Sequence, residues 1–262
     1  MAKRQVLMSC VQYDAEIKSG AKSVLDMPAI ASDLGLDGVE YREVYWHDRA
    51  TELPELSIRM RSAGLRPTFA TFRTLFSADP AVSAGLRQDL EDAAALGSTI
   101  LRVFRGVWPA DDAAGMAMWE FAHGLVRRAG ELGVTLAIEN FANTPGNKIA
   151  DVVGIVTRLD PKVVGTNIDV SNYVLNGEDP LAAIRALASR VRYVHLKDVA
   201  FGEGGKKTPT YLGAGSLLYD QIMAALDATG QEFPLCFEFG GAGDPERALK
   251  SSLAYLAKLG AR

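Results

Sequence analysis

Short runs rich in Val, Ile, Leu and Phe recur along the chain, and each is followed by a longer stretch that is amphipathic or rich in alanine. The runs 5–10 (QVLMSC), 38–42 (GVEYR), 66–72 (RPTFATF), 100–104 (ILRVF), 134–139 (VTLAIE), 163–169 (VVGTNID), 191–196 (VRYVHL) and 234–239 (PLCFEF) read as strands. Segments of helical length cover 24–35, 52–63, 79–96, 113–131, 148–159, 179–189, 216–229 and 245–259, with the plainest helical spacing in 79–96 and 245–259. The punctuation agrees. Gly closes several helical segments before the next strand, as in LGLDG, AGLRP, LGSTI, LGVTL and TGQEF, where it can adopt a left-handed cap. Asp-Pro opens others, at Asp79-Pro80, Asp179-Pro180 and Asp244-Pro245, with Asp suited to the N-cap and Pro to the first helical position.

Strands alternating with helices predict a parallel sheet. Eight such units in 262 residues match a closed α/β (β/α)8 barrel, a TIM barrel that fills residues 1–262 as one domain. The alternative is an open doubly wound sheet. It loses support because no GxGxxG follows the first strand, and no phosphate-binding GxxxxGK[ST] loop occurs. No Ser/Pro-rich linker or shift in composition marks a boundary.

Composition narrows the function classes. Hydrophobic residues make up 48% and charged residues 23%, as in an ordinary soluble globular protein, and the net charge is −4. The densest basic pair, Lys206-Lys207, lies in a Gly-rich loop and is too small to form a nucleic-acid face. No run approaches the roughly 20 apolar residues of a membrane span, and the N-terminus lacks the apolar core of a secretory signal. Cys10 and Cys236 are too few for a zinc cluster, and both sit in strand contexts, so they are expected buried and reduced in a cytoplasmic protein.

In a barrel of this kind the chemistry sits at the C-terminal ends of the strands. Four residues there stand out as a set: Glu139, Asp169, His195 and Glu238. They end four consecutive predicted strands and are separated by 30, 26 and 43 residues. Taken singly, each has a bland reading as a solvated, salt-bridged or hydrogen-bonded strand-end residue. Together they would converge on one side of the barrel mouth, where three carboxylates repel one another unless a cation joins them. Three carboxylates and one imidazole are mostly hard donors. They suit one divalent ion, Mn2+ or Mg2+ first, with Co2+, Fe2+ or Zn2+ as alternatives.

The motifs GVTLAIEN, IDVSNYVLNGEDP, YVHLKDV, YLGAGSLLYDQIMAAL and LCFEFGGAGDPERALKSSLAYL, in this order, resemble the sugar phosphate isomerase/epimerase family, which shares the xylose isomerase-like barrel. The likeness covers nearly the whole chain and is strongest from residue 134 onward. It implies one divalent metal on Glu139, Asp169, His195 and Glu238, with Glu139 and Glu238 as the acid/base pair. The endonuclease IV branch of the same barrel uses a three-metal cluster with many histidines. This chain has only His47, His123 and His195, which argues against DNA repair.

The resulting expectation is a metal-dependent isomerase or epimerase of a small sugar or polyol. It would abstract a proton next to a carbonyl through an enediolate whose charge the metal stabilises. A dehydratase acting on an inosose, 3-dehydroshikimate or a similar keto compound is the first alternative. A barrel that binds a sugar or a partner without catalysis is the second. His195 is expected to touch substrate as well as metal, and Asn140 and Asn172 to orient ligands. Arg105 and Lys207 would reach an anionic group or stand as solvated loop cations. Trp46 and Trp108 would wall the pocket or pack the loops. Glu40 is expected to pair with Arg102 rather than line the mouth. Loop 201–215 is a mobile flap or a flexible connection, and GGAGDP (240–245) binds phosphate or caps a helix. Ala- and Leu-rich helical faces are compatible with a homo-oligomer.

Overall fold

The structure, a computed structural model, describes residues 4–142, 144–240 and 243–261. Its strands are β1 (Val6–Ser9), β2 (Gly38–Arg42), β3 (Arg66–Phe76), β4 (Ile100–Gly106), β5 (Thr135–Glu139), β6 (Val164–Asp169), β7 (Val191–Leu196), β8 (Asp198–Phe201), β9 (Lys207–Thr210) and β10 (Leu235–Phe237). Eight of them close into a parallel barrel in the order β1-β10-β7-β6-β5-β4-β3-β2. The expected fold class is therefore observed. The surrounding helices are α1 (Asp14–Lys18), α2 (Met27–Asp33), α3 (Arg49–Ser62), α4 (Pro80–Leu96), α5 (Ala113–Leu132), α6 (Ile149–Val156), α7 (Val170–Leu175), α8 (Pro180–Ala186), α9 (Tyr219–Ala228) and α10 (Pro245–Lys258). Among the described residues no helix is long and apolar enough to cross a membrane.

Local signals act as the sequence suggests. Gly97 (φ 87°) and Gly133 (φ 68°) end α4 and α5 in the left-handed region, where a β-carbon would be strained. Asp79, Asp179 and Asp244 cap α4, α8 and α10 through their carboxylates.

The period of two along each strand sorts side chains into two shells. Outward residues such as Leu136, Ile138, Val194 and Leu196 are buried in the large apolar core beneath the helices. Inward residues form stacked layers. The lowest packs Leu7, Ile100, Ala137, Tyr193 and Cys236 into a small cluster of its own. The Tyr193 hydroxyl spans the barrel to Thr68 Oγ1 on the facing strand at 2.9 Å. Above this floor the inward positions turn polar: Glu40 and Arg42 on β2, Arg102 on β4, Glu139 on β5, Asn167 and Asp169 on β6, His195 on β7.

The structure departs from the sequence reading at three places. The segment 201–215, expected as a flap or flexible connection, contributes to an antiparallel hairpin, with Asp198 paired to Thr210 and Phe201 to Lys207. The Asp198 carboxylate anchors the turn beyond β9, accepting from the backbone N–H of Gly213, Gly215 and Leu217 at 3.2, 3.1 and 3.0 Å. Two short helices, α1 and α7, follow β1 and β6, α7 directly and α1 after a 3-10 turn over Cys10–Tyr13, and both are too short to show an amphipathic period. In β3 the ladder shifts register between Ala70 and Thr74, which bends the strand end and carries it past its expected limit.

Cys10 and Cys236 are both free and fully buried. Burial, followed by the nearby Glu40 carboxylate, drives both thiols well above their ordinary range. A thiol reagent at mildly alkaline pH should therefore label neither cysteine in the native protein and both after denaturation, as counted by mass spectrometry.

Candidate metal centre and acid/base site

Register decides which side chains meet. Asp169 on β6 lies directly beside His195 on β7, His195 beside Cys236 on β10, and Glu139 on β5 beside Asn167 on β6. Glu238 follows β10 by one residue, and its backbone N–H donates to Leu196 O at 3.2 Å. All four residues of the expected set are buried in one cluster.

His195 is the pivot. Its Nε2 is 2.7 Å from Glu40 Oε2. Burial opposes ionisation of Glu40, but His195 and Arg42 hold its carboxyl well below the usual range. An ionised carboxylate only accepts, so Nε2 carries the proton and donates it to Glu40. The other ring nitrogen, Nδ1, is buried and makes no hydrogen bond to the protein. It faces Glu139 Oε2 at 3.5 Å and Glu238 Oε2 at 3.9 Å. One ligand atom each from Glu139, Asp169 and His195 lies within 4.8 Å of the other two.

These residues fit a divalent ion. A buried imidazole nitrogen without a partner, surrounded by carboxylate oxygens, attracts either a proton or a cation. Burial works against protonating His195, yet Glu40 and Glu139 pull its pKa upward. A carboxylate behind the opposite ring nitrogen is the usual way a metal-ligating histidine is oriented. A second grouping, Glu40, His195 and Cys236, is equally compact but chemically unsuited. Its imidazole nitrogen is already bonded to Glu40, and the Cys236 thiol is driven away from the thiolate form.

Around the carboxylates stand three permanent cations. Arg102 Nε is 2.8 Å from Glu139 Oε2, and its Nη1 donates to Thr71 O at 2.6 Å. Lys197 Nζ lies 2.7 Å from Asp169 Oδ2 and 2.6 Å from Glu238 Oε2. Arg42 pairs with Glu40 at 3.2 Å and makes a short bond to Glu238 Oε1. Burial would raise Glu238, but Lys197 and Arg42 keep it well below the ordinary carboxylate range, so it is an ionised group. Burial lifts Asp169 to about 6 against the pull of Lys197.

Neutral amides complete the frame. Asn167 and Asn172 donate to the two Glu139 oxygens at 3.2 and 3.1 Å. The Asn172 backbone N–H donates to Asp169 Oδ1 at 2.9 Å, so Asp169 is also the N-cap of α7. The Asn140 side chain substitutes for a strand neighbour. Its Nδ2 donates to Asp169 O at 3.1 Å, and its Oδ1 accepts from Asp169 N at 3.0 Å.

Several expectations are corrected. Glu40 pairs with His195 and Arg42, because the inward period of β2 puts Glu40 and Arg42 on one face. Arg102 takes Glu139 instead. Arg105 is neither a free anion-binding group nor a solvated loop cation: it is buried, pairs with Asp151 at 3.2 Å and lies 5.2 Å from the Trp108 ring. Trp108 packs edge-on against Phe76 and Trp119, in keeping with loop packing. Trp46 stacks on Phe69. Lys207 donates to Val174 O at 2.7 Å near the C-terminus of α7. His47 is bonded to Ile17 O, and His123 stacks on Trp119 along α5. Of GGAGDP, Gly241 and Ala242 lie outside the described residues, and Asp244 caps α10. The sequence reading missed Arg42, Asn167 and Lys197 as site residues. Each sits two positions from a recognised one, so the strand period itself was the available signal.

Residues 28–259 match the family model of the xylose isomerase-like TIM barrel, and the chain belongs to that family. It is 29% identical over 179 residues to a ketose 3-epimerase of Arthrobacter globiformis, covering 62% of this chain and 58% of that protein. It is 34% identical over 85 residues to an inosose dehydratase of Lacticaseibacillus casei, covering 31% of this chain and 28% of the relative. The matched stretches thus span less than two thirds of either relative. In three dimensions it superposes on a xylose isomerase domain protein from Planctomyces limnophilus with TM-score 0.77 and 17% identity, over 99% and 98% of the two chains. An L-ribulose 3-epimerase superposes with TM-score 0.75 and 19% identity, over 98% and 94%. At these identities the superpositions show a common fold.

Asn140→Ala leaves the buried N–H of Asp169 without its partner, at a cost of about 1–3 kcal/mol, while the Asp169 carbonyl still accepts the first hydrogen bond of α7. Urea unfolding should show a loss of roughly 1–3 kcal/mol for this variant. A change below about 0.5 kcal/mol would mean that the amide bridge is not holding Asp169.

Proposed function

We propose that the protein is a divalent-metal-dependent isomerase or epimerase of a sugar or polyol, working by proton transfer at a carbon next to a carbonyl. The observation that carries this reading is the His195 Nδ1 atom, buried without a hydrogen bond among the oxygens of Glu139, Asp169 and Glu238. Glu139, Asp169 and His195 would hold the ion, with Glu238 at the edge of the same cluster. Mn2+ or Mg2+ suits so oxygen-rich a set. When bound, the metal supplies positive charge opposite the carbonyl oxygen that becomes negative as the proton leaves.

The chain's own groups do the rest. Glu238 is ionised and so can accept a proton, with Lys197 and Arg42 lowering its basicity as they hold it in place. Glu139, three strands away around the barrel, approaches from another side and returns one. Return to the opposite face of the same carbon inverts it, and return to the neighbouring carbon isomerises the substrate. Arg102, Asn167 and Asn172 fix the Glu139 oxygens, so its carboxylate does not have to reorganise during transfer. The buried setting excludes water, which would otherwise exchange the transferred proton.

Dehydration is the second reading, favoured by the identity to inosose dehydratases. If the hydroxyl on the carbon beyond the deprotonated one departs as water, taking a proton from the acid of the pair, the C–O bond breaks as the C=C bond forms and the product is an unsaturated ketone. The assays differ: a change of optical rotation marks epimerisation, and new enone absorbance marks dehydration. A binding barrel without catalysis leaves the ionised Glu238 without a task.

Chelation should abolish turnover, and added Mn2+ should restore it. Glu238→Gln keeps the shape but removes the base and should lower kcat by about 10²–10⁴-fold. Full turnover by this variant, or by metal-free protein, would overturn the reading.

A further inference from the structure

The end of the barrel away from the carboxylate cluster is also open, and its chemistry is different. A cavity of about 780 Å³ lies beneath the apolar floor that Ile100 and Tyr193 help to form. The strand period sets its wall. Gln5, Arg66, Thr135 and Pro234 line the cavity, each two positions before an inward residue: Leu7, Thr68, Ala137 and Cys236. Arg192 joins them by another route. Val191 pairs with Thr166 and Tyr193 with Asn167, so Arg192 is the extra residue of a bulge, which re-aims its side chain. Gly165 leaves the room, since a β-carbon there would meet Arg192 Cγ at 2.4 Å.

The charges around this cavity do not cancel. Arg4, Arg66 and Arg192 line it together with Asp227 and Glu232. Arg4 takes Asp227 at 3.1 Å, and Glu232 is exposed to solvent. Arg66 donates only to neutral oxygens, Gln5 Oε1 at 2.7 Å and Thr99 Oγ1 at 3.1 Å. Arg192 does the same, with Val191 O at 2.9 Å, Gln231 Oε1 at 3.1 Å, Ser189 O at 3.2 Å and Pro161 O at 3.3 Å. Among the described residues neither guanidinium has a carboxylate at ion-pair distance. Burial lowers the Arg66 guanidinium from its ordinary value, so an anion beside it would be favoured. Gln5 and Gln231 turn their oxygens to the arginines, which leaves their NH2 ends as donors. Two guanidiniums without counter-charge and a rim of N–H donors are the complement of an anion. The guanidinium fork matches phosphate oxygens in particular, and the volume is that of a small-molecule site. We propose that this end of the barrel is a second ligand site, which takes a phosphate group on Arg66 and Arg192, either as the free anion or as a monoester of a small molecule. The Tyr193 ring, edge-on to His195 at 5.0 Å, stands between this site and the carboxylate cluster. The proposal does not depend on the function proposed above.

Calorimetric titration in phosphate-free buffer with EDTA, so that no metal ion bridges an anion to the carboxylates, compares inorganic phosphate, AMP and adenosine. At least one of the two phosphates should bind with a Kd below about 1 mM, and adenosine should not. Equal affinity for phosphate and AMP assigns the site to the free anion, and tighter binding of AMP assigns it to a monoester. Arg66→Gln and Arg192→Gln should each weaken binding roughly tenfold or more. Lys207→Gln, which removes a cation at the other mouth, should stay within about twofold. Circular dichroism identifies the variants that fold, and either arginine variant, once folded, decides. The proposal is overturned if neither phosphate binds, if adenosine binds as tightly as AMP, if a folded Arg66→Gln or Arg192→Gln variant keeps the wild-type affinity, or if Lys207→Gln loses as much as they do.

Discussion

Four carboxylates buried inside one barrel must be given counter-charge, and that requirement organises the C-terminal half of the barrel interior. Glu40, Glu139, Asp169 and Glu238 are all withdrawn from solvent, where an unpaired carboxylate costs several kcal/mol or more. Arg42, Arg102 and Lys197 answer them at ion-pair distance, and His195 adds a hydrogen bond to Glu40. Buried pairs of this kind contribute little net stability compared with apolar residues of the same volume. The stability of the fold lies elsewhere, in the outward strand residues beneath the helices and in the small apolar floor around Tyr193. The polar layer is supported by that frame and is available for chemistry.

The supporting groups decide what the reacting ones can do. Glu40 fixes the tautomer and orientation of His195 and turns Nδ1 toward Glu139. Asn140 reproduces a strand-to-strand bridge just beyond the end of β5, so Asp169 is held at a point where the ladder alone would let it go. Asp169 in turn starts α7, which brings Asn172 back onto Glu139. One residue thus closes a strand, opens a helix and presents an oxygen to the cluster. Small displacements along this path would be felt at every carboxylate, which is the preorganisation that proton transfer needs.

Much of this was legible in the sequence. The alternation of strand and helix, the Asp-Pro starts and the Gly stops give the barrel because each acts locally, within a few residues. Glu139, Asp169, His195 and Glu238 could be picked out because they interrupt or directly follow apolar strands. Pairing was not legible. Whether Glu40 meets Arg102 or His195 depends on register and on closure of the barrel, and neither is encoded in any short segment. The hairpin of β8 and β9 was hidden for a related reason: Gly, Lys and Thr in 201–215 carry no apolar alternation, and Asp198 supplies the order from outside the segment. Arg105 and Lys207 read as free cations until their partners, Asp151 and a helix carbonyl, were brought near by the fold.

The central claim is that His195 Nδ1, Glu139 and Asp169 share one ion. The most direct measurement is the anomalous scattering of a crystal grown with Mn2+. The account predicts a single strong peak in the barrel mouth, at about 2.0–2.3 Å from that nitrogen and from one oxygen each of Glu139 and Asp169. A peak elsewhere, or electron density showing His195 Nδ1 bonded to a protein group in place of an ion, would contradict it.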